Sequence, residues 1–281
     1  MKILLLGHKG MLGSDLFLRF AGKCQITGLD KDEIDITSGS ECRKAVNENA
    51  PDVVINAAAY TDVDGCEKAK DECFAVNAEA VKNIAAACRV KNIRIVHFST
   101  DYVFDGESVK PYREDSICKP INVYGASKLA GERYLQELSH NYVLIRTEWL
   151  YGKKGKNFVR TILGKAETSD KLEVVDDQIG SPTYTKDLAA ATDLLIEKNL
   201  TGVFHITNRG NCSWYQFTLK ILQEAGIGGV RVLPIKSADL PRPAKRPHYS
   251  VLSMQKFISS TGKTMQPWQL ALQDYLKSIR Y

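Results

Sequence analysis

Lys2-Ile3-Leu4-Leu5-Leu6-Gly7-His8-Lys9-Gly10-Met11-Leu12-Gly13 is the stretch from which the fold can be read. Ile3–Leu6 is short, continuous and apolar, the pattern of a strand buried on both faces of a parallel sheet. Three glycines follow in the spacing G-x-x-G-x-x-G, and Ser14 to Ala21 reads as a helix. Glycines at such a turn let backbone N–H groups approach a pyrophosphate at a helix N-terminus, where the helix dipole favours an anion. The third glycine lets helix and strand pack closely. A glycine triplet alone is common. Between a first strand and a helix it points to a dinucleotide.

Working outward, Cys24–Leu29 reads as a second strand ending at Asp30, 17 residues past Gly13. An acid there can bond ribose hydroxyls and disfavours a 2′-phosphate, whereas the neighbouring Lys9 and Lys31 could meet one. A loop-start aspartate is the plainer alternative. Ser40–Asn49 is helical, and Asp52–Ile55 is a third strand that runs into Asn56-Ala57-Ala58-Ala59-Tyr60-Thr61. Small residues at a strand's carboxyl end leave room for a cofactor, and packing explains them equally well. Val63 to Lys91 reads as one long helical segment. Asn77 within it has apolar neighbours, so its amide needs partners from backbone or cofactor. Ile93–Phe98 is a fourth strand, followed by Ser99-Thr100-Asp101. Hydroxyls there can bond a substrate oxygen or close an ST-turn.

A helix then runs from Tyr124 to about Leu138, with Lys128 one turn from Tyr124 on the same face. A phenol has an ordinary pKa near ~10. A close lysine cation favours the phenolate. Such a pair can exchange a proton with a carbonyl or alcohol, although two surface residues on an amphipathic helix have the same spacing. Tyr142–Arg146 is the next strand. Strand and helix alternate up to this point, which predicts an α/β fold: a Rossmann-type, doubly wound parallel sheet.

After Gly152 the pattern loosens. Lys153, Lys154 and Lys156 form a basic loop, either a solvated face or a site for phosphates. Helices are expected over Asn157–Lys165 and Asp187–Lys198, after Ser213, and from Pro267 onward. Strands are expected over Leu172–Val175, Val203–Ile206 and Val230–Ile235. Leu240–Pro247 is proline-rich and basic, either an ordered loop carrying cations over a pocket or a linker.

Hydrophobic residues are 44% and charged residues 25% of 281, ordinary for a globular protein with a sizeable core. A formal net charge of +5, spread along the chain, does not point to nucleic acid and suits a small anion. Seven scattered cysteines without a CxxC pair suggest reduced thiols in a cytoplasmic protein, not a disulfide frame or a zinc site. No apolar run is long enough for a membrane span or a signal sequence. No metal-ligand spacing occurs, and the five histidines, dispersed in sequence, are read as structural.

Together, Gly7-x-x-Gly10-x-x-Gly13, Asn56-Ala57-Ala58-Ala59, Ser99-Thr100-Asp101 and Tyr124-x-x-x-Lys128 resemble the extended short-chain dehydrogenases/reductases. More narrowly, the chain resembles the dTDP-4-dehydrorhamnose reductase family. That match rests on Ala59-Tyr60-Thr61-Asp62-Val63-Asp64, Ser99 to Gly106, and Val123-Tyr124-Gly125-x-Ser127-Lys128-Leu129-Ala130-Gly131-Glu132. It continues in Arg146-Thr147-x-Trp149-x-Tyr151, Asp177-Gln178-x-Gly180-x-Pro182-Thr183 and Arg246-Pro247-x-x-Ser250-x-Leu252.

The resemblance implies Thr100, Tyr124 and Lys128 as catalytic residues. It implies Gly7, Gly10, Met11, Leu12, Gly13, Asp30, Asp35, Ile36, Ala57, Ala58, Ala59, Tyr60, Thr61, Asn77 and Ser99, with Tyr124 and Lys128, around NADPH or NADH. Thr100, Asp101, Trp149 and Arg246 would meet a small-molecule sugar nucleotide. Residues 1–150 would hold the dinucleotide and 151–281 mainly the substrate, with some segments returning to the sheet. No metal, nucleic acid or membrane partner is expected, and a homodimer is compatible. Glu148 departs from the serine that the family often carries there. The rivals are a sugar-nucleotide epimerase or dehydratase on the same fold, and a non-catalytic NADP-binding regulatory subunit like that of methionine adenosyltransferase.

Overall fold

The computed structural model describes residues 1–279. In chain order it runs β1 (Lys2–Leu6), α1 (Met11–Phe20), β2 (Gln25–Leu29), α2 (Gly39–Asn49), β3 (Val53–Asn56), α3 (Val63–Lys68), α4 (Lys70–Phe74), a π turn (Ala75–Glu79) and α5 (Ala80–Arg89). Then come β4 (Arg94–Thr100), a 3-10 turn (Asp101–Val103), α6 (Val123–Leu138), β5 (Tyr142–Thr147), β6 (Leu150–Tyr151), α7 (Phe158–Ala166), β7 (Lys171–Val175), β8 (Ile179–Gly180) and β9 (Thr183–Tyr184). The rest is α8 (Thr185–Glu197), β10 (Gly202–His205), β11 (Cys212–Ser213), α9 (Trp214–Ala225), β12 (Arg231–Ile235), a 3-10 turn (Ser237–Asp239), α10 (Gln255–Thr261) and α11 (Trp268–Ile279).

Six strands form one sheet in the order β10-β5-β4-β3-β1-β2. Every pairing in it is parallel. Alternate side chains of β1 point to opposite faces. Ile3 and Leu5 join a core with Leu12, Leu16 and Phe20 of α1 and Leu188 and Leu195 of α8. Leu4 and Leu6 join a second core with Val46 of α2, Val81 and Ile84 of α5, and Leu135 of α6. Chain order reverses between β1 and β3, so the carboxyl ends of these strands flank a topological switch point, where open α/β sheets bind ligands.

A third core, built on Tyr151, Val159, Phe217, Trp268 and Tyr275, lies outside the sheet. Two-stranded pairs surround it: β12 with β7, β11 with β8, and β6 with β9. Residues past 150 therefore divide. Segment 151–184 and most of 207–279 build this body, while β10 pairs with β5 in the main sheet and α10 packs near β10.

Three sequence expectations need correction. The first helix starts at Met11 rather than Ser14, with Gly10 as its N-cap. The segment 63–91 is not one helix: it breaks at Ala69 and widens into the π turn around Asn77. The helix α10 was not expected.

Gly7 has φ +79°, and a Cβ on Gly13 would lie 2.0 Å from the Gly7 carbonyl oxygen. Gly164, inside α7, has nothing within 4 Å of such a Cβ. Gly13→Ala should therefore destabilise the fold by about 1–3 kcal/mol through overpacking. Gly164→Ala should stabilise it by about 0.5–1 kcal/mol through helix propensity. Urea unfolding of both variants checks the opposite signs.

Candidate active site

The glycine loop and the ends of β3, β4 and β5 meet at the carboxyl edge of the sheet. A Cβ on Gly7 would lie 2.7 Å from the Ala58 nitrogen, so bare backbone separates the loop from the alanine run. Gly10, Met11 and Leu12 supply the first turn of α1, whose N–H groups face outward from the helix start. Asp30 accepts hydrogen bonds from the N–H of Lys9 at 2.9 Å and of Lys31 at 2.9 Å, and so closes the loop beside β2. The Lys9 ammonium is held by Asp32 at 2.5 Å and Glu33 at 3.3 Å. Asp35 accepts from the Thr37 N–H and hydroxyl, and the Ile36 side chain packs on the second core.

The buried amide of Asn77 clamps the peptide of Tyr60. Its oxygen accepts from the Tyr60 N–H at 2.9 Å, and its nitrogen donates to the Tyr60 carbonyl at 3.0 Å. The same nitrogen reaches Ser127 Oγ of α6 at 3.0 Å. Its partners are thus backbone and a hydroxyl, and the Ala57–Thr61 segment is tied to the helix carrying Tyr124. Ser99 Oγ is buried and has no partner among the described residues.

Asn122 caps α6, accepting the Gly125 N–H at 2.7 Å. This sets Tyr124 in the first turn and Lys128 one turn on. Thr100, the last residue of β4, donates from Oγ1 to Asp101 Oδ1 at 2.9 Å. Burial and then the Asp101 carboxylate raise the Tyr124 phenol above its ordinary pKa, with the Thr100 hydroxyl drawing it back. Lys128 donates to the Phe98 carbonyl at 2.6 Å and lies 3.5 Å from His97 Nε2. Burial lowers its pKa to about 8. His97 is buried, its pKa is depressed by burial and by Lys128, and its other ring nitrogen lies 3.2 Å from Asn56 Nδ2. The expected lowering of the tyrosine pKa by Lys128 is therefore outweighed: desolvation and Asp101 keep the phenol protonated.

Trp149 follows β5 with φ 49° and stacks on Trp214 at 3.4 Å between ring centroids, 7° from parallel. Its indole joins the main sheet to the third core. Arg246 grips Asp64 with two bonds, Nη1 to Oδ1 at 2.6 Å and Nη2 to Oδ2 at 2.8 Å. The Leu240–Pro247 stretch is thus an ordered loop anchored to α3, and Asp64 is the partner that the sequence reading missed. It also missed the partner of Ser250, whose Oγ lies 3.0 Å from Glu148 Oε2, because residues so distant in the chain carry no shared local pattern.

This arrangement brings a glycine turn, a protonated phenol, a hydroxyl and a buried ammonium to one edge of the sheet. The family described as RmlD substrate binding domain matches over residues 1–281. The chain belongs to that family. A dTDP-4-dehydrorhamnose reductase of Clostridium acetobutylicum has a solved structure that superposes with TM-score 0.97 at 41% identity, covering 100% of both chains. The Bacillus anthracis dTDP-4-dehydrorhamnose reductase, solved in complex with NADP, superposes with TM-score 0.96 at 37% identity over 99% of each chain. The spore coat polysaccharide biosynthesis protein SpsK of Bacillus subtilis is 40% identical over 98% of this chain and 97% of its own length. Among the described residues, no helix is long and apolar enough to cross a membrane.

The pairing with Arg246 lowers Asp64 from the ordinary 3.8 to about 2. A depressed carboxylate contributes stability above its unfolded pKa that is lost as pH falls towards the folded one. The wild-type melting temperature should fall between pH 4 and pH 2 more steeply than that of Asp64→Asn. Parallel melting curves for the two proteins over that range would remove this ion pair as the anchor of the loop.

Proposed function

We propose that the chain catalyses NAD(P)H-dependent reduction of the 4-keto group of a dTDP-4-keto-6-deoxy-L-hexose, converting dTDP-4-dehydrorhamnose to dTDP-rhamnose for polysaccharide biosynthesis. The observation that carries this is the meeting of Thr100, a protonated Tyr124 and Lys128 at the strand ends, beside a glycine loop, in a chain of this family. NADPH or NADH, when bound, supplies the hydride. Gly7, Gly10, Met11, Leu12 and Gly13 would hold its pyrophosphate, and the cradle fits: a Cβ at Gly7 or Gly13 would strike backbone. Asp30, Asp35, Ile36, the Ala57–Thr61 segment, Asn77 and Ser99 would line the rest.

Tyr124 donates its proton to the oxygen at C4 as the alkoxide forms. Thr100 orients and polarises the ketone, for which its hydroxyl turns from Asp101 to the substrate oxygen. Lys128, held between Phe98 and His97, presents a fixed cation behind the phenol. Asp101, Trp149 and Arg246 meet the sugar nucleotide, the indole against the apolar face of the 6-deoxy sugar. The body built on the third core closes the substrate side. On this reading the enzyme works in the cytoplasm and a homodimer is compatible. The intact Thr100/Tyr124/Lys128 set favours an enzyme over a regulatory subunit. Tyr102, where dehydratases carry a glutamate, speaks against dehydration.

Tyr124→Phe should bind dinucleotide normally and lose about 10²-fold or more in turnover, the scale of lost general acid catalysis. NAD(P)H oxidation with dTDP-4-dehydrorhamnose reads this directly, and near-normal turnover would remove Tyr124 as the acid.

Both NADH and NADPH should support turnover. Asp30→Ala should move the ratio of their kcat/KM values towards NADPH, since it removes a carboxylate that repels a 2′-phosphate. An unchanged ratio would mean that Asp30 only closes the loop through Lys9 and Lys31.

A further inference from the structure

Glu148 and Asp101 are two carboxyl groups, each 2% exposed, at the ends of neighbouring strands β5 and β4. Thr100 Oγ1 is bonded to Asp101 Oδ1, and Ser250 Oγ lies 3.0 Å from Glu148 Oε2. The other two oxygens, Asp101 Oδ2 and Glu148 Oε1, are buried and without a partner among the described residues. Among the described residues no cation pairs with them: the guanidiniums of Arg146 and Arg246 are taken by Glu132 and Asp64.

The Ser250 hydroxyl can donate to an ionised Glu148 or accept from a protonated one. Two buried carboxyls at adjoining strand ends, with no cation beside them, do not both ionise, and the pair retains a proton. Burial pushes both carboxyls above the usual carboxylate range, Glu148 further through the Asp101 charge, while the Thr100 hydroxyl bonded to Asp101 favours its ionised form. The remaining titratable neighbours do not supply a positive charge. Cys212 and Tyr249 face Glu148, and Tyr102 and Tyr124 face Asp101, all with raised pKa values.

We propose that Glu148 is a positioning residue for the reduction: as an uncharged acid bonded to Ser250 it leaves Asp101, held by Thr100, as the lone carboxylate beside Tyr124. One negative charge keeps the phenol protonated. A second would be unpaired and buried, and would loosen the Tyr249–Leu252 segment, which is fixed by Tyr249 N–H to Gly106 O at 3.2 Å and Ser250 N–H to Ile179 O at 2.9 Å. The proposal rests on the reductase reading only for its kinetic arm.

Infrared spectroscopy of the wild-type protein in D2O should show a protonated, buried carboxyl band at neutral pH that disappears on the alkaline side. Glu148→Gln should lack that band. Ser250→Ala, which removes only the hydroxyl bonded to Glu148, should shift its frequency and so assigns the band even if the glutamine variant fails to fold. In the kinetic arm, the ratio of kcat for Glu148→Gln to wild type, in which the Lys128 titration cancels, should rise about fivefold from the wild-type band midpoint to one pH unit above it. A wild-type spectrum without the band at neutral pH, or a band untouched by both substitutions, overturns the proposal whatever the substrate is. A flat kcat ratio across the pH at which the band is lost overturns the positioning role.

Discussion

The ion pair between Arg146 of β5 and Glu132 of α6 underlies the geometry of the whole site. It is a forked contact, Nε to Oε1 at 3.0 Å and Nη2 to Oε2 at 2.7 Å, with the two side chains 5% and 1% exposed. Removing either partner would strand a charge in the interior, at about 3–5 kcal/mol. Glu132 lies one turn beyond Lys128 and two beyond Tyr124 on the same helix face. Fixing that face to β5 aligns the phenol and the ammonium with the end of β4, which lies beside β5 in the sheet. Asn77 adds a second tie to the same helix through Ser127, and that one reaches the alanine run opposite the glycine loop. Tyr124 and the glycine loop are thus registered against one another by buried polar contacts whose geometry tolerates little slack.

Burial, more than pairwise attraction, governs the electrostatics at the strand ends. It lowers Lys128 and His97 and raises Tyr124, Asp101 and Glu148. Each shift favours the neutral form. For a reduction this is the useful direction, because the phenol must arrive carrying its proton. Asp101 adds to it through its charge, and the lysine serves more as a braced cation than as an acidifier of the tyrosine.

The sheet was legible because its strands are short, apolar and separated by helical stretches. The tight turn from β1 into α1 was legible because a glycine triplet after a first strand marks close backbone packing. Tyr124 and Lys128 could be paired from local spacing on one helix. Contacts between distant segments were not legible. Asp64 with Arg246 and Glu148 with Ser250 are joined by the loops that follow the last substrate-side strands, and no periodicity connects them. The π turn at Asn77 was hidden for a different reason: its composition is that of an ordinary helix, and only the tertiary demand of the Tyr60 peptide widens it. The helix α10 was overlooked because its seven residues carry too few apolar positions to show a period.

The place of β10 bears on how the protein is made. This strand completes the six-stranded sheet, yet it is translated after β6 to β9 and the first helix of the third core. While the chain emerges from a ribosome, β5 therefore remains an open, apolar sheet edge until residue 205 is available, a stretch of synthesis lasting several seconds at about 5–20 residues per second. Exposed strand edges invite pairing with other chains. The two bodies of the molecule cannot mature one after the other, since the first is sealed by a piece of chain that must pass through the second. A fragment ending near residue 150 would carry the glycine loop and five of the six strands and still lack the one that closes its sheet.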